Sequence, residues 1–175
     1  MSQGKACRHR EPTTLQTELA RTFAALSATN EAILYAKSPE ELYRKVCEAA
    51  FSSGDFLATA VFLLQEGTDF LRFATGFGED IVRLCSIDIT IVEGTPQGSG
   101  VCGQAFRARD VVVANDFLND QRSTAWREGA EKAQVGAAAA VPLKRGGDSV
   151  GVLLVTRREP GSLTDDTISD RKSVV

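Results

Sequence analysis

The 175-residue chain predicts an α+β fold: an antiparallel sheet of about six strands flanked by helices, with a long helix at the N-terminus. Three observations carry this. Strand-like runs come in pairs joined by short turn-rich links, which marks hairpins rather than long crossovers. Helical spacing appears before, between and after those runs. Hydrophobic residues at 43% and charged residues at 25% give the balance of a folded domain, at a length suited to one core plus a flanking helix.

The N-terminal tail, residues 1–12, is polar and charged, and is expected to be disordered. From Thr13 to Lys37 an apolar stripe of Leu15, Leu19, Phe23, Leu26, Ile33 and Leu34 runs without glycine or proline, predicting one long helix. Leu19, Leu26 and Ile33 stand seven apart, a spacing that favours a partner helix, although the same stripe could cover the domain's own sheet. Ser38-Pro39-Glu40-Glu41 restarts the chain as a second helix, with Ser38 as cap, Pro39 at the first helical position and Glu41 completing a capping box. Leu42, Val46 and Ala50 give that helix a buried face, and Ser-Ser-Gly ends it near Ser52.

Leu57 to Gln65 and Phe70 to Phe77 read as a hairpin, the second run alternating Phe70, Arg72 and Ala74 against Leu71, Phe73 and Thr75. Leu84 to Val92 alternates as well and predicts a third strand, with Cys85, Ile87, Ile89 and Ile91 toward the core. The glycine-rich tract Gly94 to Gly100 must be a loop, Val101 to Ala108 has helical spacing, and Val111 to Val113 is a short strand. A polar stretch, Asn115 to Asp120, leads to a short helix carrying Trp126. Ala137 to Leu143 and Ser149 to Thr156 form a second hairpin across Lys-Arg-Gly-Gly-Asp.

The formal net charge of −3, spread along the chain, supplies no positive face for phosphate backbones, so nucleic acid is not an expected partner. No run has the length of a membrane span or the pattern of a signal peptide, which predicts a cytoplasmic protein. Cys7, Cys47, Cys85 and Cys102 lie far apart without a C-x-x-C pair, so reduced thiols are expected, the last three in the core. The only histidine, His9, stands in the polar tail. No histidine is then available inside the domain for haem, for a transition metal or as the base of a catalytic pair. The expectation is no metal, no cofactor and no enzymatic activity.

Several segments together resemble the GAF family of ligand-binding sensory domains, related in fold to PAS domains. They are Ser38 to Ala50; Gly94 to Asn115, with G-T-P-Q-G-S-G-V-C-G-Q-A and V-V-V-A-N-D; Ala125-Trp126-Arg127; and Ala137 to Val155, with A-A-A-A-V-P-L and G-V-L-L-V. The resemblance implies a GAF domain over residues 38–165. Leu26 to Leu34 more faintly resembles the lead-in helix of GAF domains upstream of diguanylate cyclase, phosphodiesterase or histidine kinase output domains in bacterial signalling proteins. It implies a signal-input module that dimerises through the Thr13 to Lys37 helix and acts on an output domain. Residues 166–175 begin a closing helix that stops after a turn. Asp170 to Val175 is also what a common sequencing adapter encodes, so the natural protein is expected to continue past Ser169.

A GAF pocket usually lies between one sheet face and the helices and loops above it. Mapped here, the resemblance implies a floor of Phe73, Ala138 and Ala140. The cover would draw on Val101, Cys102, Ala105, Phe106, Asn115, Asp116, Phe117 and Trp126. The run of alanines leaves room for an unknown small ligand, unless Phe106, Phe117 and Trp126 fill it, in which case the domain is a purely structural dimerisation module. Asn115 and Asp116 could orient a ligand or satisfy their own turn. The cyclic-nucleotide signature of the family, N-K followed by F-x-x-x-D-E, is absent, so cyclic GMP is not favoured. Some relatives reduce free methionine sulfoxide; here Cys102, near a helix N-terminus, would need Cys85 as its resolving partner, at a spacing unlike theirs.

Overall fold

The computed structural model describes residues 38–53, 56–79 and 81–163. The tail with His9, the stripe through Leu19, Leu26 and Ile33, and segment 166–175 lie outside these residues. Helix α1 (Pro39–Ser53) starts where the capping pattern puts it, with the Glu41 amide donating to Ser38 Oγ at 3.2 Å. Val46, Cys47 and Ala50 are buried on its inner face, with Leu42 half-buried beside them.

Strands β1 (Ala58–Leu64) and β2 (Phe70–Gly78) form the first hairpin. Val61 pairs with Thr75 but Phe62 pairs with Phe73, so Ala74 is the extra residue of a β-bulge. The bulge exchanges the faces of β2. Leu71 and Phe73 pack beside Phe62, whereas Phe77 joins the cluster on the opposite side with Val61. A strict period of two cannot continue through an inserted residue.

The strand expected over Leu84 to Val92 is corrected. Ile81–Leu84 makes one helical turn, α2, and only Ile89–Thr90 pairs with β2, as β3. Cys85 continues the turn, its amide donating to the Ile81 carbonyl at 3.1 Å and its thiol at 3.2 Å, and it is exposed rather than core. Ile89 is buried, as the alternation required. The chain is diverted because the stretch before β3 leaves the sheet to wall a cavity.

Helix α3 (Val101–Ala108) has the predicted bounds. Strand β4 (Val112–Ala114), a 3-10 helix (Gln121–Trp126), helix α4 (Arg127–Lys132) and the hairpin β5 (Ala137–Arg145) and β6 (Asp148–Arg157) follow. Gly146 and Gly147, at φ 63° and 92°, make the two-residue turn of that hairpin. The strands run β3-β2-β1-β6-β5-β4, every neighbouring pair antiparallel.

Helix α3 packs on one face against β5, β6 and β4, and α1 packs on the other against β1 and β2. Phe62 on the α3 side and Leu153 on the α1 side are almost wholly buried, each contributing about 1.5–3 kcal/mol relative to exposure. Small side chains meet where α3 lies on the sheet, Ala105 above and Ala138 and Ala140 below, which lets the two backbones approach closely. Among the described residues no helix is long and apolar enough to cross a membrane.

Candidate ligand cavity

One end of the α3 face is not filled by the core. It holds a cavity of about 490 Å³. Its floor is Ala58 of β1, Ala138 of β5, and Leu154 and Thr156 of β6; the registers Ala58–Thr156 and Ala138–Thr156 place these residues side by side on one face. Val101 and Cys102, the first turn of α3, form one wall, and Leu84, Ile87 and Ile89 the wall opposite. Trp126, Gly129, Ala130 and Ala133 cover it.

The glycine-rich loop is shaped for this packing. Gly100 lies against the Trp126 indole so closely that a Cβ would stand 2.6 Å from Cη2 and nearer still to Cζ3. A Cβ on Gly103 would stand 2.5 Å from the Gly98 carbonyl and 2.7 Å from that of Thr90. Side chains then tie the loop down: Arg107 Nη1 donates to the Gly98 carbonyl at 2.9 Å and Gln104 Nε2 to that of Ser99 at 2.8 Å. These glycines serve close approach within the protein.

Four charged residues that line the cavity, Glu79, Asp88, Glu128 and Lys132, are held in ion pairs. Glu128 pairs with Lys132 at 2.6 Å, Asp88 with Arg72 at 2.9 Å and Glu79 with Arg158 at 2.5 Å. The hydrogen bond from Lys132 holds the Glu128 carboxyl below its usual range. Deeper in, polar groups are few. The buried Thr156 hydroxyl donates to the Ala58 carbonyl at 3.3 Å, leaving acceptor capacity beside the floor. Burial pushes the Cys102 thiol up to about 12, so it rests protonated at neutral pH.

Of the expected site residues, Val101, Cys102, Phe117, Trp126 and Ala138 come together around this cavity. The others are placed elsewhere. Phe73 stacks edge-on against Phe62, with ring centroids 5.8 Å apart, and packs with Ala105, Phe106 and Ala140 in the solid part of the same face. Asn115 anchors the chain beyond β6: its Nδ2 donates to the Leu163 carbonyl at 2.7 Å and its Oδ1 accepts from the Leu163 amide at 3.0 Å. Asp116 accepts from the Asn119 side chain at 2.9 Å within its own turn. The wall from Leu84 to Ile89 and the Thr156 floor escaped sequence reasoning. The first has the alternation of a strand, and the second alternates with Leu154 in an apolar run where a single threonine carries no signal.

Among the described residues, a six-stranded antiparallel sheet with a helix packed on each face and a cavity under one of them defines an α+β domain of the GAF type. The GAF domain family matches residues 36–169, and the chain belongs to that family. Solved structures of the same fold include the free methionine-R-sulfoxide reductase of Neisseria meningitidis in complex with its substrate, 17% identical, with a TM-score of 0.73 over 95% of this chain and 89% of that one. The GAF domain of the Acinetobacter phosphoenolpyruvate-protein phosphotransferase is 12% identical, with a TM-score of 0.67 over 90% of this chain and 87% of that one. The nlh2 GAF domain of A. aeolicus in an inactive state is 16% identical, with a TM-score of 0.66 over 90% of each chain. No curated protein matches the chain.

At such identities these likenesses carry the fold alone. They nonetheless correct one expectation. The reductases of Neisseria meningitidis, Staphylococcus aureus and Thermoplasma acidophilum share this fold, so the conclusion that the domain has no enzymatic activity does not stand. Its physical grounds, the lack of a histidine base in the domain and a Cys102–Cys85 spacing unlike that of those relatives, do not exclude an activity on this fold.

Proposed function

We propose that this GAF domain is the signal-input module of a larger bacterial signalling protein in the cytoplasm, and that its ligand site is the cavity beneath Trp126. The cavity itself carries the reading: about 490 Å³, apolar below and polar at the mouth, within the size range of small-molecule sites. Phe106, which could have filled it, packs in the core instead. Occupancy would be relayed to an output domain of the cyclase, phosphodiesterase or kinase type. Pairing of two chains through Leu19, Leu26 and Ile33 belongs to the same proposal, and sedimentation of a Leu19→Glu, Leu26→Glu variant beside the parent tests it.

The ligand site is tested with the sole tryptophan as reporter. A panel of free amino acids, methionine sulfoxide and cyclic nucleotides is titrated against Trp126 emission, in parallel with the neutral dye N-phenyl-1-naphthylamine. Saturable binding of the dye, with energy transfer from Trp126, is expected, and Ala138→Leu, which fills the floor, should abolish it. A parent protein that takes up no dye, or an Ala138→Leu variant that binds it equally well, would refute the site.

Cys102 in the cavity wall favours a second reading, reduction of a sulfoxide. There the sulfoxide oxygen would leave as water while the Cys102 thiol and a small thiol supplied from solution become a mixed disulfide. Thiol-dependent turnover of free methionine sulfoxide that disappears in Cys102→Ser would establish it.

A further inference from the structure

Trp126 ends a six-residue 3-10 helix, a conformation with poor hydrogen-bond geometry that does little by itself to fix where a side chain stands. The fixing comes from Arg122, one turn earlier. Its guanidinium grips both oxygens of Asp120, with Nε 2.9 Å from Oδ1 and Nη2 2.6 Å from Oδ2. It also donates to Gln104 Oε1 on α3 at 3.2 Å and to the Val113 carbonyl on β4 at 2.7 Å. One side chain thus joins the cover to the cavity wall and to the last strand of the sheet. Asp120 is doubly engaged, because its carboxylate also caps the 3-10 helix through the Arg122 amide at 2.9 Å.

The clasp is sheltered, with 34% of the Arg122 side chain and 17% of that of Asp120 exposed. Bidentate pairing of this kind holds direction as well as charge. The hydrogen bond from Arg122 holds the Asp120 carboxyl below its ordinary range, so the pair stays ionised at neutral pH. Next to it, Ser123 is buried with its hydroxyl unpartnered among the described residues, so the helix is not anchored through that side chain.

We infer that Arg122 is the positioning residue of the cavity cover: through Asp120, Gln104 and Val113 it sets the height of Trp126 above the floor, and with it the affinity of the site. This rests on reading the cavity as a ligand site. Lysine cannot replace the fork, since a point charge on a flexible stem reaches one of the three partners at a time.

The test uses the full chain, its Arg122→Gln and Arg122→Lys variants, and two readouts below the unfolding transition. Acrylamide quenching of Trp126 should roughly double in Arg122→Gln as the cover lifts, and N-phenyl-1-naphthylamine should bind about ten-fold more weakly, with Arg122→Lys between variant and parent. Unchanged quenching and unchanged dye affinity in a cooperatively folding Arg122→Gln protein overturn the inference. So does loss of cooperative unfolding in both variants, which would assign Arg122 to the fold as a whole. If the parent binds no dye while quenching still rises in Arg122→Gln, the positioning role stands and the ligand site falls.

Discussion

Replacing Gly100 by alanine would place a methyl group against the Trp126 ring. The backbone at Gly100, φ −69° and ψ 171°, suits alanine, so strain there is not the issue. The clash is with the ring: the new Cβ stands 2.6 Å from Cη2, where carbon atoms settle at about 3.5–4.0 Å. The indole must therefore retreat by about 1 Å or more toward α4, or swing out of the cavity wall. Overpacking of this size costs about 1–3 kcal/mol, and 2 kcal/mol corresponds to a fall of about 1 M in urea midpoint. Urea unfolding and the emission maximum of the single tryptophan are measured on the same samples. Gly129→Ala is the matched control. Its Cβ meets only Arg83 Cδ at 3.7 Å, an ordinary contact inside a helix, so it should gain about 0.5–1 kcal/mol. A Gly100→Ala protein with the parental midpoint and emission would refute the packing argument.

Ser38→Ala removes the acceptor that satisfies the Glu41 amide and should cost about 0.5–2 kcal/mol in chemical denaturation; no loss would mean that α1 needs no cap. In the native protein iodoacetamide at pH 8 should label Cys85 well before Cys47 and Cys102, mapped by peptide mass, because the latter two are buried with thiols pushed up to about 12. The same burial makes stability depend on pH. An unfolded thiol gives up its proton near 9 and the folded one near 12, so stability is complete below about pH 9 and is lost as pH rises toward 12. Urea midpoints of Cys102→Ala should therefore fall less steeply than the parent's across that window, and parallel curves would contradict the assignment.

How much of this was legible in the sequence depends on how local each signal is. Ser38 with Glu41, the spacing of Val101, Ala105 and Ala108, and the Gly-Gly turn between β5 and β6 are satisfied within a few residues of themselves, and each lies where it was read. Alternation was trustworthy only where nothing interrupts it. Ala74 is an unremarkable residue whose status as a bulge depends on β1 across from it. Ile87 and Ile89 fit a strand pattern as well as they fit a cavity wall, and only Ile89 keeps a place in the sheet.

For the site, the sequence by itself determined the materials: small alanines on β5, glycines before α3, and one tryptophan in the segment that follows β4. It also determined the family, because the order of those segments survives without any knowledge of their contacts. Only the tertiary structure decided which part of the sheet face is cavity and which is core. Ala138 and Ala140, two residues apart on the same strand, are both buried in one cluster with Ala105, and of the two only Ala138 also borders the cavity. The difference is set by what approaches from above. Phe73 and Phe106, from distant segments, close one end of the face, whereas at the other the clasp of Arg122 and the fit of Trp126 against Gly100 carry the cover across without filling the space below. Such contacts join residues far apart in the chain, and their geometry exists only once the sheet has brought them together.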